Sequence, residues 1–177
     1  MAGRARYNRR VPSTPSPFRF VVSDLLRDPG RRRRELVEAS VRWGVQLSTI
    51  DPAEPLTAEL VLEGVGGGIF VTGRAAATVV HTCHRCTVTW SEPVEVEVAE
   101  LLGRGGDTDY SLEGEAADTE PMLRDALMLA FPLSPTCRPD CRGLCASCGA
   151  DLNTGACPGH DEDPQSPFAA LRDILEP

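Results

Sequence analysis

The chain has 177 residues, a formal net charge of −8 and 41% hydrophobic residues, enough for one principal core with an appendage and too few for two large domains. No run approaches the eighteen or more apolar residues of a helical membrane span, and the Arg-rich start MAGRARYNRR leads into VPSTPSP rather than an apolar signal core. The expectation is a cytoplasmic protein with reduced thiols, whose odd count of seven cysteines argues against a disulfide framework.

Charge is unevenly spread. Residues 1–42 hold eleven arginines against four acids, a balance of +7, and the remainder carries −15; there is no lysine. An Arg-rich arm on an acidic body suits phosphate contacts to RNA, because a guanidinium grips phosphate bidentately and without regard to sequence. The bland alternative is a solvated leader without a ligand.

In chain order, residues 1–17 are basic and broken by Pro12, Pro15 and Pro17, the pattern of a disordered leader. The run FRFVVSDLLRDPG predicts a helical turn capped by Ser23 or Asp24 and ended at Pro29 and Gly30. Val41, Trp43, Val45 and Leu47 then alternate with mostly polar partners, predicting a half-buried strand. LTAELVLEGV and GIFVTGRAAATVVHT flank Gly66, Gly67 and Gly68, which reads as a turn between two strands and not as a phosphate loop, since no Lys-Ser/Thr or helix start follows. In TVTWSEPVEVEVAELL, Val94, Val96 and Val98 share one face, with Glu95, Glu97 and Glu100 mainly on the other. Trp43 and Trp90 read as packing residues. Residues 103–120 form a polar, acidic loop, and EPMLRDALMLAFPLSP predicts an amphipathic helix with Pro121 in its first turn and Met122, Leu123, Ala126, Leu127 and Ala130 towards the core. SPFAALRDILEP reads as a short final helix presenting Phe168, Leu171 and Leu175.

The expected organisation is thus a leader at 1–17, an α+β core at 18–136 built on an antiparallel sheet, open or curled into a partial barrel, and a Cys-rich segment with a C-terminal helix at 137–177.

Two constellations carry chemistry. In CASCGADLNTGACPGH, the pair Cys145 and Cys148 is followed eight residues on by Cys157 and His160, with Gly149 suited to a left-handed turn. Two such knuckles satisfy the four-donor tetrahedron of structural Zn²⁺; Cys141 in place of His160 is the other ligand set. The second constellation is TCHRCT, where Cys83 and Cys86 lie between two predicted strands. A redox CxxC wants a helix N-terminus, so metal is the better reading here, with Cys137 and Cys141 as partners and a second closed site. His81 and His84 flank the pair without being required as ligands. A catalytic zinc would keep an open position and a general base; no HExxH, GxSxG, Walker loop or HxE motif occurs, so the expectation is a non-enzyme.

Together, VSDLLRDPGRRRREL, the strands ending in CHRC, EVEVAELL, EPMLRDALMLAFPLSPTC, CRPDCRGLCASCGADLN and SPFAALRDIL resemble the YceD family, the large ribosomal RNA subunit accumulation proteins, over roughly residues 18–176. The resemblance implies a non-catalytic role in accumulation of 23S rRNA of the large subunit. Family members are often encoded beside a large-subunit ribosomal protein, and some lack the knuckle while keeping the CxRC. Here CPGH stands where other members have further cysteines, and the Arg-rich leader lies outside the family core. The expected partners are precursor rRNA, with Arg31, Arg32, Arg33 and Arg34, and secondarily Arg85 and Arg142, as phosphate contacts, or a basic ribosomal protein drawn by the acidic body. No membrane or small-molecule substrate is expected. A zinc-containing nucleic-acid-binding regulator is the competing reading, disfavoured by the lack of a basic recognition helix, and a zinc or thiol redox enzyme is the third.

Overall fold

A computed structural model describes residues 16–104, 108–155 and 157–160. The leader, the centre of the acidic loop and the C-terminal helix expected from the sequence fall wholly or partly outside these residues.

The architecture is a mostly antiparallel sheet with two helices. Its elements are β1 (Arg19–Val21), α1 (Ser23–Arg27), β2 (Arg32–Ala39), β3 (Gly44–Val45), β4 (Ser48–Ile50), β5 (Leu56–Val65), β6 (Gly68–Thr82), β7 (Thr89–Gly103), β8 (Tyr110–Ser111), β9 (Ala116–Asp118) and α2 (Glu120–Leu129). The long strand β6 organises the sheet. One of its edges takes β5 from Gly68 to Ala76 and then β4 from Val79 to His81, while the other takes β7 along its whole length. Outside these, β2 pairs with β5 and β3 with β4, and β8 adds a short parallel pairing to β7. The sheet does not close into a barrel among the described residues.

Strand alternation explains the core. Leu56, Ala58, Leu60 and Leu62 of β5 and Ile69, Val71, Ala75, Ala77 and Val79 of β6 are buried on one face. Leu25 of α1 and Met122, Leu123 and Leu127 of α2 cover that face, with Phe18 and Phe131. Each of these leucine, isoleucine, valine, methionine and phenylalanine side chains contributes roughly 1.5–3 kcal/mol of burial, and each alanine less. On β7, Val98 is buried, Val94 and Val96 are half-buried and Glu95 and Glu97 are exposed, as the alternation requires.

Four local expectations change. The strand expected over 41–47 shrinks to the two-residue β3, after a bend that brings Trp43 against Phe18 with ring centroids 5.4 Å apart, and the longer strand before it is β2, which takes in Arg32, Arg33 and Arg34 of the Arg run. Charged residues fit β2 because they find partners: Arg33 donates to the Val21 carbonyl at 2.8 Å and to Asp24 at 3.1 Å, tying the strand to α1. Asp24 is therefore an ion-pair residue; the α1 N-cap is Val22, without a side-chain capping bond. Within 103–120 the chain forms β8 and β9, since β9 pairs with β1 and the Thr119 N–H and hydroxyl both donate to Phe18 O at 2.9 Å. In α2, Pro121 occupies the first turn as expected, but Ala130 is an exposed C-cap outside the apolar stripe. No described helix is long and apolar enough to cross a membrane.

Candidate metal centres

The turn between β6 and β7 is a knuckle. Cys83 N–H donates to Val88 O at 2.8 Å and Thr87 N–H to Cys83 O at 3.0 Å, with Thr87 at φ 59°. The tail repeats this turn: Cys145 N–H donates to Ala150 O and Gly149 N–H to Cys145 O, both at 2.8 Å, with Gly149 at φ 73°. Each turn thereby places two sulfurs on the same side of a tight loop. A glycine serves the left-handed position without penalty, whereas a β-branched threonine there costs roughly 1–2 kcal/mol. Thr87 carries no sequence signal for this conformation beyond its place after a CxxC.

Cys83 and Cys86 meet Cys137 and Cys141, with all four donor atoms within 4.8 Å of one another. Cys83 and Cys141 sulfurs are 3.9 Å apart and those of Cys86 and Cys137 are 3.6 Å apart. Three of the four are buried, and Trp90 packs against them. The converging segments are stitched together by backbone: Pro135 O accepts from His84 N–H at 2.9 Å, Arg85 O accepts from Leu144 N–H at 3.0 Å, and Cys141 O accepts from Arg85 Nη1 at 2.9 Å. The second group is Cys145, Cys148, Cys157 and His160, again within 4.8 Å. Cys157 Sγ lies 3.5 Å from Cys145, 3.8 Å from Cys148 and 3.0 Å from His160 Nε2. Each group could hold a metal ion. Cys141 sits with Cys83 and not with the tail group, so the ligand set replacing His160 by Cys141 is not the one the chain assembles. His81 and His84 belong to neither group; His81 is buried with Nδ1 2.7 Å from Ser48 Oγ, and His84 Nδ1 lies 2.9 Å from Pro135 O.

The thiols differ in proton affinity. Burial opposes ionisation of Cys83, but hydrogen bonds from the backbone of Cys137, Cys86 and Arg85 outweigh it and lower its pKa to about 6. Backbone donors at Cys148 and Ser147 lower Cys145 to about 6 as well. Cys137 is pushed up to about 12, first by burial and then by its neighbouring thiols. A lowered pKa leaves the thiolate in place down to about pH 6 and removes it below. In chelator-stripped protein at pH 7, half-buried Cys145 is therefore expected to alkylate ahead of Cys137, with its rate falling as pH drops through 6, as peptide mapping of iodoacetamide adducts would read. Equal rates for the two would contradict this electrostatic picture.

The arginines divide between the ends of the molecule. Arg31 lies 3.8 Å from Asp24, and Arg32 pairs with Glu63 at 2.9 Å; Arg34 is exposed on β2. Through β5, Arg32 aligns with Phe70 and Arg34 with Thr72, whereas the Cys83 knuckle follows Thr82, so these arginines and the first cysteine group are roughly 33–40 Å apart along β6. Arg85 and Arg142 flank the cysteine groups, as does Arg138, which sequence reading passed over; it bonds Asn153 Oδ1 at 2.9 Å.

Comparisons with known proteins follow the same residues. A family model described as "Large ribosomal RNA subunit accumulation protein YceD" matches residues 71–175. An uncharacterized protein of Mycobacterium tuberculosis is 35% identical over 174 residues, covering 92% of this chain and 83% of its own length. An uncharacterized protein of Mycobacterium leprae is 32% identical over 174 residues, covering 92% and 79%. A Zea mays protein named "Large ribosomal RNA subunit accumulation protein YCED homolog 1, chloroplastic" is 44% identical over 52 residues, 27% of this chain and 18% of that protein. No solved structure matches.

Proposed function

The chain belongs to the YceD family, and from that premise we propose that it is a non-catalytic factor of large ribosomal subunit biogenesis in the cytoplasm. It promotes accumulation of 23S rRNA by binding precursor RNA, a basic ribosomal protein, or both, and it holds Zn²⁺ in its two four-donor groups. The observation that carries the reading is the family match itself, which runs across both groups and whose description names large-subunit rRNA accumulation. The maize relative's name points the same way.

The donor chemistry supports zinc. A tetrahedral ion with Zn–S bonds of about 2.3 Å holds its sulfurs about 3.8 Å apart, close to the 3.9 and 3.6 Å of the first group and the 3.8 and 3.5 Å of the second. Four donors per ion leave no position for water, which favours a structural role. A single ligand that met both Arg34 and Arg142 would have to run along the sheet. The regulator reading gains nothing from the helices, since α2 offers Arg124 beside Asp125 and Glu120.

The deciding experiment is sedimentation of the native protein from lysate, together with the rRNA ratio in cells lacking it. Co-migration with immature large subunits and a selective fall in 23S rRNA are expected. A protein confined to the top of the gradient, with rRNA unchanged in its absence, would overturn the proposal.

A further inference from the structure

The loop that joins the second pair of tail ligands to the first reaches back onto the other cysteine group. Asn153 lies between Cys148 and Cys157, and its Nδ2 donates to the sulfur of Cys141 at 3.7 Å. The same side chain's Oδ1 accepts from the Arg142 backbone N–H at 2.8 Å and from Arg138 Nη2 at 2.9 Å. Asp151 fixes its orientation, with Oδ1 accepting from Asn153 N–H at 2.9 Å and from Nδ2 at 2.7 Å. Backbone contacts close the bridge: Leu152 N–H donates to Gly143 O at 3.0 Å, and Leu144 pairs with Asp151. One side chain from the loop between the tail ligands therefore touches a donor atom of the buried group.

An amide N–H aimed at a metal-bound thiolate stabilises its charge and fixes its direction, and such outer contacts typically carry 10–100-fold in metal affinity. Asn153 lies on the chain between Cys148 and Cys157, so closure of Cys145 and Cys148 on Cys157 and His160 would fix both ends of its loop and hold this contact in place. Conversely, a closed first group holds Cys141, Arg142 and Gly143 where Asn153 and Leu152 need them. We propose that Asn153 couples the two cysteine groups, so that zinc in either one tightens zinc in the other. The inference rests on the reading that both groups hold zinc. Linkage makes the effect reciprocal, and the bridge turns two small sites into one cooperative tail.

The test is graded chelation of the zinc-loaded full chain, with species of two, one and no zinc counted by native mass spectrometry. The unaltered protein is expected to pass from two to none with little one-zinc species. Asn153→Ala is expected to accumulate the one-zinc species, its weaker site losing zinc about ten-fold more readily. A readout that general loosening would not produce comes from the cobalt-loaded protein. Loss of the N–H···S contact should shift the thiolate-to-cobalt charge-transfer band, and Asn153→Asp, which keeps the acceptor but loses the amide donor, should shift it likewise. Hydrogen exchange in β5 and β6 reports whether either variant still folds. Independent loss of the two ions in the unaltered protein, or identical profiles and spectra in the variants, would overturn the coupling and leave the zinc reading standing. A chain that binds fewer than two zinc ions would overturn the zinc reading and the coupling with it.

Discussion

Replacing Cys141 with serine is expected to empty the first cysteine group and detach the tail while leaving the sheet folded. The thiol is buried, 3% exposed, and three separate interactions meet at this residue. Its sulfur lies 3.9 Å from that of Cys83 and accepts from Asn153, and its carbonyl accepts from Arg85. A serine oxygen is a harder donor on a shorter bond and does not replace a thiolate on a borderline-soft ion. Structural zinc supplies an apparent ~10–16 kcal/mol in small zinc modules, comparable to the ~5–15 kcal/mol that holds a whole domain. The two apolar clusters decide where that loss falls. Leu60, Leu62, Ile69 and Val71 belong to the main core, whereas Cys83, Cys86 and Cys141 form a cluster of their own at the far end of β6. Bound zinc should fall by at least one ion per chain, and limited proteolysis should open between residues 133 and 160. Slow hydrogen exchange should persist in β5 and β6. Unchanged zinc with an uncut tail would show that the four thiols do not act as one ligand set.

The parts of this protein legible from sequence are those whose signal is local and repetitive. The hairpin of β5 and β6 announces itself through alternation on both sides of Gly66 to Gly68, and the amphipathic stripe of α2 needs only Met122, Leu123 and Leu127. β2 is obscured because its alternation runs through charges: Arg33 and Glu35 are the half-buried positions, made tolerable by Asp24 and the Val21 carbonyl, which no local pattern contains. β9 is obscured for a related reason, since two alanines and an aspartate become a strand only beside β1. Each CxxC turn is local, and so is its spacing. The partners of each turn, Cys157 with His160 and Cys137 with Cys141, are also within reach of the cysteine spacing, and the structure brings the same sets together. Asn153 between the groups and the left-handed Thr87 depend on tertiary placement and lie beyond what residue types and intervals encode.

Gly73→Ala is expected to destabilise the protein by about 3 kcal/mol, the upper part of the overpacking range, despite adding a single methyl to a residue already in a strand. Gly73 sits in β6 between Leu60 of β5 and Val98 of β7, so neither neighbour can move without straining the sheet. A Cβ at this position would overlap the carbonyl oxygen of Glu59 and lie 3.0 Å from Leu60 Cα, both of them backbone. A side chain would rotate away; a hydrogen-bonded strand does not. Gly149→Ala provides the contrast. Nothing lies within 4 Å of its added Cβ, so its cost is the left-handed φ of 73° alone, roughly 1–2 kcal/mol. Urea unfolding followed by far-UV circular dichroism measures both, with the larger midpoint loss expected for Gly73→Ala. Equal losses would mean that β5 yields easily at Glu59. The location of the damage follows from the register. β5 leaves β6 at Ala76, while β7 accompanies β6 to Thr82 and the Cys83 turn, so the disturbance should lower global stability more than zinc retention in the first group. The reverse ranking, with zinc lost before the fold, would tie the metal centre mechanically to the β5–β6 contact and make the sheet an active part of the site's rigidity.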